Sequence, residues 1–193
     1  MGQPPHTSSA RRKMMSKAPS GFFSGTKGEL AFYGNAENII SARTFGLDMR
    51  EHPLAQKQLS SKDRKRIKQK IANRTATQKE YKQYEWDKRF RKRRRKGTKY
   101  FWKQERNRLE RGEKGTRNWS EEQRKAILSG NAPKFNGKTL QGHHAYSAKL
   151  YPHLANLGEI IYPVTHIEHL YGWHGGSYKK SRPGRRIRRI NEM

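Results

Sequence analysis

The spacing of apolar positions divides the chain before any side-chain chemistry is considered. Residues 1–20 hold Pro, Ser, Lys and Arg with few large apolar side chains, which predicts disorder. Residues 21–55 mix Gly and Asn with short apolar pieces such as Leu30-Ala31-Phe32-Tyr33 and Asn38-Ile39-Ile40. They read as a short strand or a turn-rich packing segment. From Ser60 the pattern turns helical. Ser61 followed by Asp63 and Arg64 makes a helix start, and neither Gly nor Pro recurs before Gly97. Apolar residues there are sparse (Ile67, Ile71, Ala72, Tyr81, Tyr84, Trp86, Phe90), too few for a wide buried stripe. The expectation is one or two long exposed helices, poorly anchored except around Tyr81 to Phe90. Lys99-Tyr100-Phe101-Trp102 continues this arm after Gly97.

Gly112 to Gly115 reads as a break. Ser120 followed by Gln123 is a capping-box pattern, and Glu121 and Glu122 in the first turn suit the helix dipole. A helix is predicted from Glu121 to about Ser129, stopped by Gly130 with Pro133 beyond. Asn136-Gly137 is a turn signal, after which Lys138 to Gly142 reads as a short strand. Residues 145–158 connect, with helical turns around Ser147 to Leu150 and at Leu154-Ala155. Glu159 to Val164 is a second strand. Thr165 then caps a helix from His166 to about Tyr171, ended by Gly172.

Composition limits what such elements can build. Of 193 residues, 31% are hydrophobic, below the ~45–50% usual for a globular chain, so one core filling the whole length is not expected. The longest nearly apolar run, Ile160 to Val164, is far short of the ~20 residues that span a bilayer. Residues 1–20 lack the apolar stretch of a secretory signal. With no cysteines, disulfides, thiolate zinc sites and cysteine nucleophiles are excluded. The formal net charge is +28, and self-repulsion of that size calls for a polyanionic partner, most commonly a phosphate backbone. The charge is uneven. Residues 1–60 carry a net +4, residues 61–111 carry 22 basic and 6 acidic side chains for +16, and residues 179–193 carry +6. Residues 112–178 carry only +2, and they contain six of the eight histidines, from His143 to His174.

Those histidines are the candidate chemistry. His6, His52 and His153 read as ordinary surface residues. Gly142-His143-His144 ends the first strand, while His166, His169 and His174 lie on or just past the following helix. Neighbours on a strand point to opposite sides, so His143 and His144 face one point only if the strand ends there, a turn that Gly142 permits. One His from a strand end plus two from a helix can hold a divalent metal, and an adjacent imidazole outside the metal shell is free to take a proton from water.

Leu140-Gln141-Gly142-His143-His144, Tyr151-Pro152, Ile161 through His169 and Gly172-Trp173-His174-Gly175-Gly176 together resemble the Tox-GHH nucleases. These are the Gly-His-His branch of the HNH/endonuclease VII superfamily, found at the C-termini of bacterial polymorphic toxins including Rhs-type effectors. The Trp119-Ser120-Glu121-Glu122-Gln123 helix start and the turn from Gly130 to Pro133 also look like that family's lead-in. The resemblance covers roughly residues 118–178. It implies an α+β fold: a small ββα-metal, HNH-like core with a long basic helical extension and disordered termini. The expected organisation is an irregular segment over 1–59, a basic helical arm over 60–117, the nuclease core over 118–178 and a basic tail over 179–193.

By the same resemblance His144 is the general base, and His143, His169 and His174 hold one divalent metal ion (Mg, Mn, Zn or Ni). His169 and His174 stand five apart where four is usual, so His166 remains the alternative partner of His169. Asn156 or Glu159 is left to brace the loop before the second strand. Arg91, Lys92, Arg93, Arg94, Arg95 and Lys96, with Arg185 and Arg186 in the tail, are expected on phosphates, which position a duplex without reading bases. Tyr100, Phe101 and Trp102 could stack on bases, but are read first as the small core that anchors the arm.

The implied activity is a metal-dependent endonuclease acting on DNA with little sequence specificity; charge suits RNA equally. The implied setting is an antibacterial effector toxin of the Rhs or type VI secretion kind, delivered to the target-cell cytoplasm and neutralised by an acidic immunity protein. A non-catalytic basic nucleic-acid-binding protein, or a housekeeping or mobile-element HNH nuclease, are the competing readings.

Overall fold

The computed structural model describes residues 30–180, so the expectations for residues 1–29 and for the tail from 181, including Arg185 and Arg186, lie outside the described residues. In chain order the elements are α1 (Leu30–Thr44), α2 (Ser61–Ala72), α3 (Gln78–Glu110), α4 (Glu121–Leu128), β1 (Lys134–Phe135), β2 (Lys138–Thr139), β3 (Gln141–His144), β4 (Ile161–Val164) and a π-helix (Glu168–Trp173). The fold is α+β, as expected. Two small antiparallel sheets form, β1 with β2 and β3 with β4. The strand expected over Lys138 to Gly142 is therefore split between two sheets at Leu140, whose amide donates to Pro133 O at 2.9 Å.

Local hydrogen bonding starts the helices where the sequence places them. Ser120 and Gln123 form the reciprocal capping box at α4, and Thr77 with Glu80 forms another at α3. Two helices depart from expectation. Residues 21–55 were expected as a strand or turns, yet α1 forms there. Its Ala36, Ile40 and Thr44 recur every four residues and are buried, an amphipathic stripe that needs a partner surface to hold it. α3 continues past Gly97 as expected, but it is not a poorly anchored exposed arm. It runs unbroken for 33 residues, and Phe90, Gly97, Phe101, Glu105 and Leu109 form one buried face along it.

The β3–β4 hairpin lies between these helices. In its register Gln141 faces Val164, Gly142 faces Pro163, His143 faces Tyr162 and His144 faces Ile161. Directly opposed residues share a face, and so the two faces can be assigned. Tyr162 and Val164 pack with Ala36 and Ile40 of α1 and with Trp173. Ile161 packs on the other side with Phe101 of α3, Tyr151, Leu154 and Ile160. Phe101 is fully buried, so of the Tyr100-Phe101-Trp102 triplet it is core and does not stack on bases.

Buried carboxylates tie α3 to its surroundings. Glu105 accepts from the Thr116 amide and hydroxyl, Trp119 Nε1 and Arg108 Nη1. Asp87 accepts from the Leu59 amide at 3.1 Å and from Arg91 Nε at 2.6 Å. Charged side chains that would read as solvent-facing are thus buried and fully engaged.

Candidate active site

The alternation along β3 sends its two histidines to opposite faces. His143 shares the Tyr162 face, where Trp173 lies over it with ring centroids 4.6 Å apart. His169 and His174 complete a group of three: centroids are 4.9 Å from His143 to His169, 5.1 Å from His143 to His174 and 5.0 Å from His169 to His174. One ligating nitrogen from each lies within 4.8 Å of the others.

The five-residue separation of His169 and His174 meets because the helix between them is a π-helix, Glu168–Trp173. Its wider i to i+5 turn brings residues five apart onto one side. His166 is exposed and lies apart, within 3.3 Å of the Tyr178 hydroxyl. The geometric partner of His169 is therefore His174.

Hydrogen bonds orient two of these rings. His169 Nδ1 donates to Gln141 Oε1 at 2.6 Å, and His174 Nδ1 donates to the Lys180 carbonyl. Each bond fixes the tautomer and leaves Nε2 as a free lone pair, the usual arrangement behind a metal-bound imidazole. Burial, then the neighbouring histidines, hold His143 well below its ordinary range; burial and His174 bring His169 down to about 4. Neutral imidazoles are the form that ligates. The three imidazoles together could hold one divalent cation.

The π-helix is held by a buried ion pair. Arg117 donates to both Glu168 oxygens at 2.7 and 2.8 Å and to Pro163 O at 2.9 Å. Glu168 and Thr165 also exchange backbone–side-chain hydrogen bonds. Burial alone would raise the Glu168 carboxyl; the Arg117 guanidinium more than reverses this and holds it below its ordinary value. Sequence reasoning passed over Arg117, because the pair spans 51 positions.

His144 takes the α3 face. Its Nε2 donates to the Ala155 carbonyl at 3.1 Å, which leaves Nδ1 as the nitrogen that can accept a proton. Burial and then the charge of Arg94 bring its pKa to about 4. The loop carrying Ala155 is fixed from α3: Arg93 donates to Asn156 Oδ1 at 2.7 Å and to His153 O at 3.1 Å. Asn156 is thus held at the loop, while Glu159 takes a hydrogen bond from Gln104 at 2.8 Å.

Two glycines allow this closeness. A Cβ on Gly97 would lie 2.8 Å from Ala155 O, and one on Gly142 would lie 2.6 Å from the Thr98 side chain. Gly142 is in the ladder and makes no turn, so its place in the motif reflects helix approach and not a bend.

A cleft of about 280 Å³ opens beside His144, lined by Arg64, Arg91, Arg94, Arg95, Thr98 and Gly142. Positions 91, 94, 95 and 98 recur at helical spacing, so one face of the basic run looks into it. Arg91 is committed to Asp87 and Leu59 O, and Arg93 to the loop. Arg94 differs: it forms no ion pair among the described residues, and its buried Nε has no hydrogen-bond partner. Lys92 is exposed, and Lys96 lies over the Tyr100 ring at 5.8 Å.

Comparison with known proteins gives a matching stretch over residues 84–165. It begins inside α3, whereas the resemblance read from the sequence begins near residue 118. It ends before His169 and His174, whose place rests on the geometry above. No curated protein and no solved structure matches the chain. The family matched over residues 84–165 is Tox-GHH, described as GHH signature containing HNH/Endo VII superfamily nuclease toxin, and the resemblance read from Gly142-His143-His144 is to that family of nuclease toxins.

Proposed function

We propose that the chain is a metal-dependent endonuclease that hydrolyses DNA phosphodiester bonds with little sequence specificity. The observation that carries this is the division of labour around β3. His143, His169 and His174 meet within 4.8 Å, and His144, held by a carbonyl beside the arginines, is near enough to act electrostatically on His143 and His169. His143, His169 and His174 would hold the cation, which when bound supplies positive charge to the phosphate and the leaving 3′-oxygen. His144 Nδ1 takes the proton from the attacking water, and Ala155 O keeps its ring oriented. Arg94 directs a guanidinium with an unmet donor at a phosphate oxygen. Exposed cations on α2 and α3 hold the duplex by its backbone, so that binding follows charge and not sequence. On this reading the protein acts as an antibacterial effector toxin, neutralised by an acidic immunity protein that covers the same basic face.

Metal-stripped protein with added divalent ions should digest plasmid DNA, with RNA assayed beside it. His144→Ala should abolish digestion while keeping metal and DNA binding. Full activity of His144→Ala, or of wild type in excess chelator, rejects the mechanism.

A further inference from the structure

A second group of metal-ligating side chains lies away from the triad. Asp48 and His52, in the segment between α1 and α2, meet His153 of the β3–β4 loop, and one ligating atom of each lies within 4.8 Å of the others. His52 Nε2 is 3.1 Å from Asp48 Oδ2. The two imidazoles meet edge to face with centroids 4.6 Å apart. His153 Nε2 donates to Asp48 O at 2.8 Å, so Nδ1 is the ring nitrogen turned from that carbonyl. That nitrogen is buried and has no hydrogen-bond partner. Surface histidines, as the sequence suggests for His52 and His153, would not be expected to converge on a carboxylate in this way.

Two imidazoles and a carboxylate suit a borderline divalent cation, with water completing the shell. A carbonyl behind one of the imidazoles supplies the outer hydrogen bond that orients such a ligand. Arg50 competes for both oxygens: its Nε is 2.9 Å from Asp48 Oδ1, its Nη2 is 2.9 Å from Oδ2, and its amide donates to Oδ1 at 3.0 Å. Its side chain is 82% exposed, so it can turn into water and release the carboxylate at little cost.

We propose that Asp48, His52 and His153 form a second cation site, for a zinc-type divalent ion, which staples the α1–α2 segment to the β3–β4 loop. Two hydrogen bonds already join the same segments, His52 N to Leu150 O at 2.8 Å and Leu54 N to Lys149 O at 2.9 Å. Ala155, whose carbonyl holds His144, stands two residues beyond His153. An ion here would stiffen the support of His144 without touching substrate; only this consequence rests on the proposed function.

The test is metal stoichiometry on the full chain, stripped by chelator, dialysed against Zn²⁺ and measured by elemental analysis. Wild type should hold one more ion per chain than either His52→Ala or Asp48→Asn, two replacements of exposed side chains. The same ion should raise the Tm of His169→Ala, and the rise should vanish when His52→Ala is added. Equal metal content in wild type, His52→Ala and Asp48→Asn overturns the second site. Failure of the triad reading shows separately, as His169→Ala retaining all of its metal.

Discussion

Replacing Gly97 by alanine sets helix propensity against packing. In an exposed helix interior that change gains ~1 kcal/mol, and Gly97 lies well inside the 33 residues of α3. Here the new Cβ would stand 2.8 Å from Ala155 O and 3.2 Å from Leu157 O. Both are backbone atoms, so neither can rotate away, and the helix or the loop must shift by a few tenths of an ångström. Overpacking of this kind costs ~1–3 kcal/mol, which leaves a net destabilisation of roughly 0–2 kcal/mol where propensity alone gives a gain. The catalytic readout is sharper. Ala155 O is the acceptor that orients His144 at 3.1 Å, so its displacement misaligns the proposed base and should lower plasmid-nicking activity roughly tenfold. Metal content should not change, because the triad lies on the opposite face of β3. The checks are urea denaturation, nicking rate and bound metal on one preparation. A Gly97→Ala protein that is ~1 kcal/mol more stable and fully active would show that α3 does not press on this loop.

Arg117→Ala leaves the Glu168 carboxylate buried without its guanidinium and should cost about 3 kcal/mol in urea denaturation, with metal affinity falling as the π-helix loosens; an unchanged midpoint would remove the pair from the account. Glu105→Gln replaces a buried acceptor of four hydrogen bonds by a neutral amide that matches them poorly, and should lower stability by ~2–3 kcal/mol. The metal-free protein should lose stability on acidification. Burial lowers His143, His144 and His169 below their ordinary 6.5, the last two to about 4, so between those values the unfolded chain binds more protons. Stability from these groups is full above about pH 6.5 and falls towards about pH 4. Urea midpoints across that window check the sign, and a midpoint that rises on acidification contradicts the burial of these rings.

What the sequence determined by itself was what depends on neighbours in the chain. Ser120 with Gln123 caps α4 because donor and acceptor stand three residues apart. Likewise, Gly142-His143-His144 carries its resemblance in adjacent residues, and the π-helix position follows Thr165. Charge accounting drew attention to the nearly neutral histidine-rich stretch. It misjudged α3, because buried Asp87 and Glu105 count as solvent-facing in any polar pattern. Only distant partners, Leu59 for one and Thr116 and Trp119 for the other, make their burial possible. α1 was hidden for a related reason: the stripe of Ala36, Ile40 and Thr44 has few large side chains and gains meaning only against β4. Tertiary structure alone selected His174 over His166 in the histidine group, since a widened helical turn, and not residue spacing, fixed which ring turns inward. It also decided that His52 and His153, a hundred positions apart in the chain, stand against one carboxylate. Such meetings depend on how whole elements pack, and no local hydrogen bond or hydrophobic period encodes them.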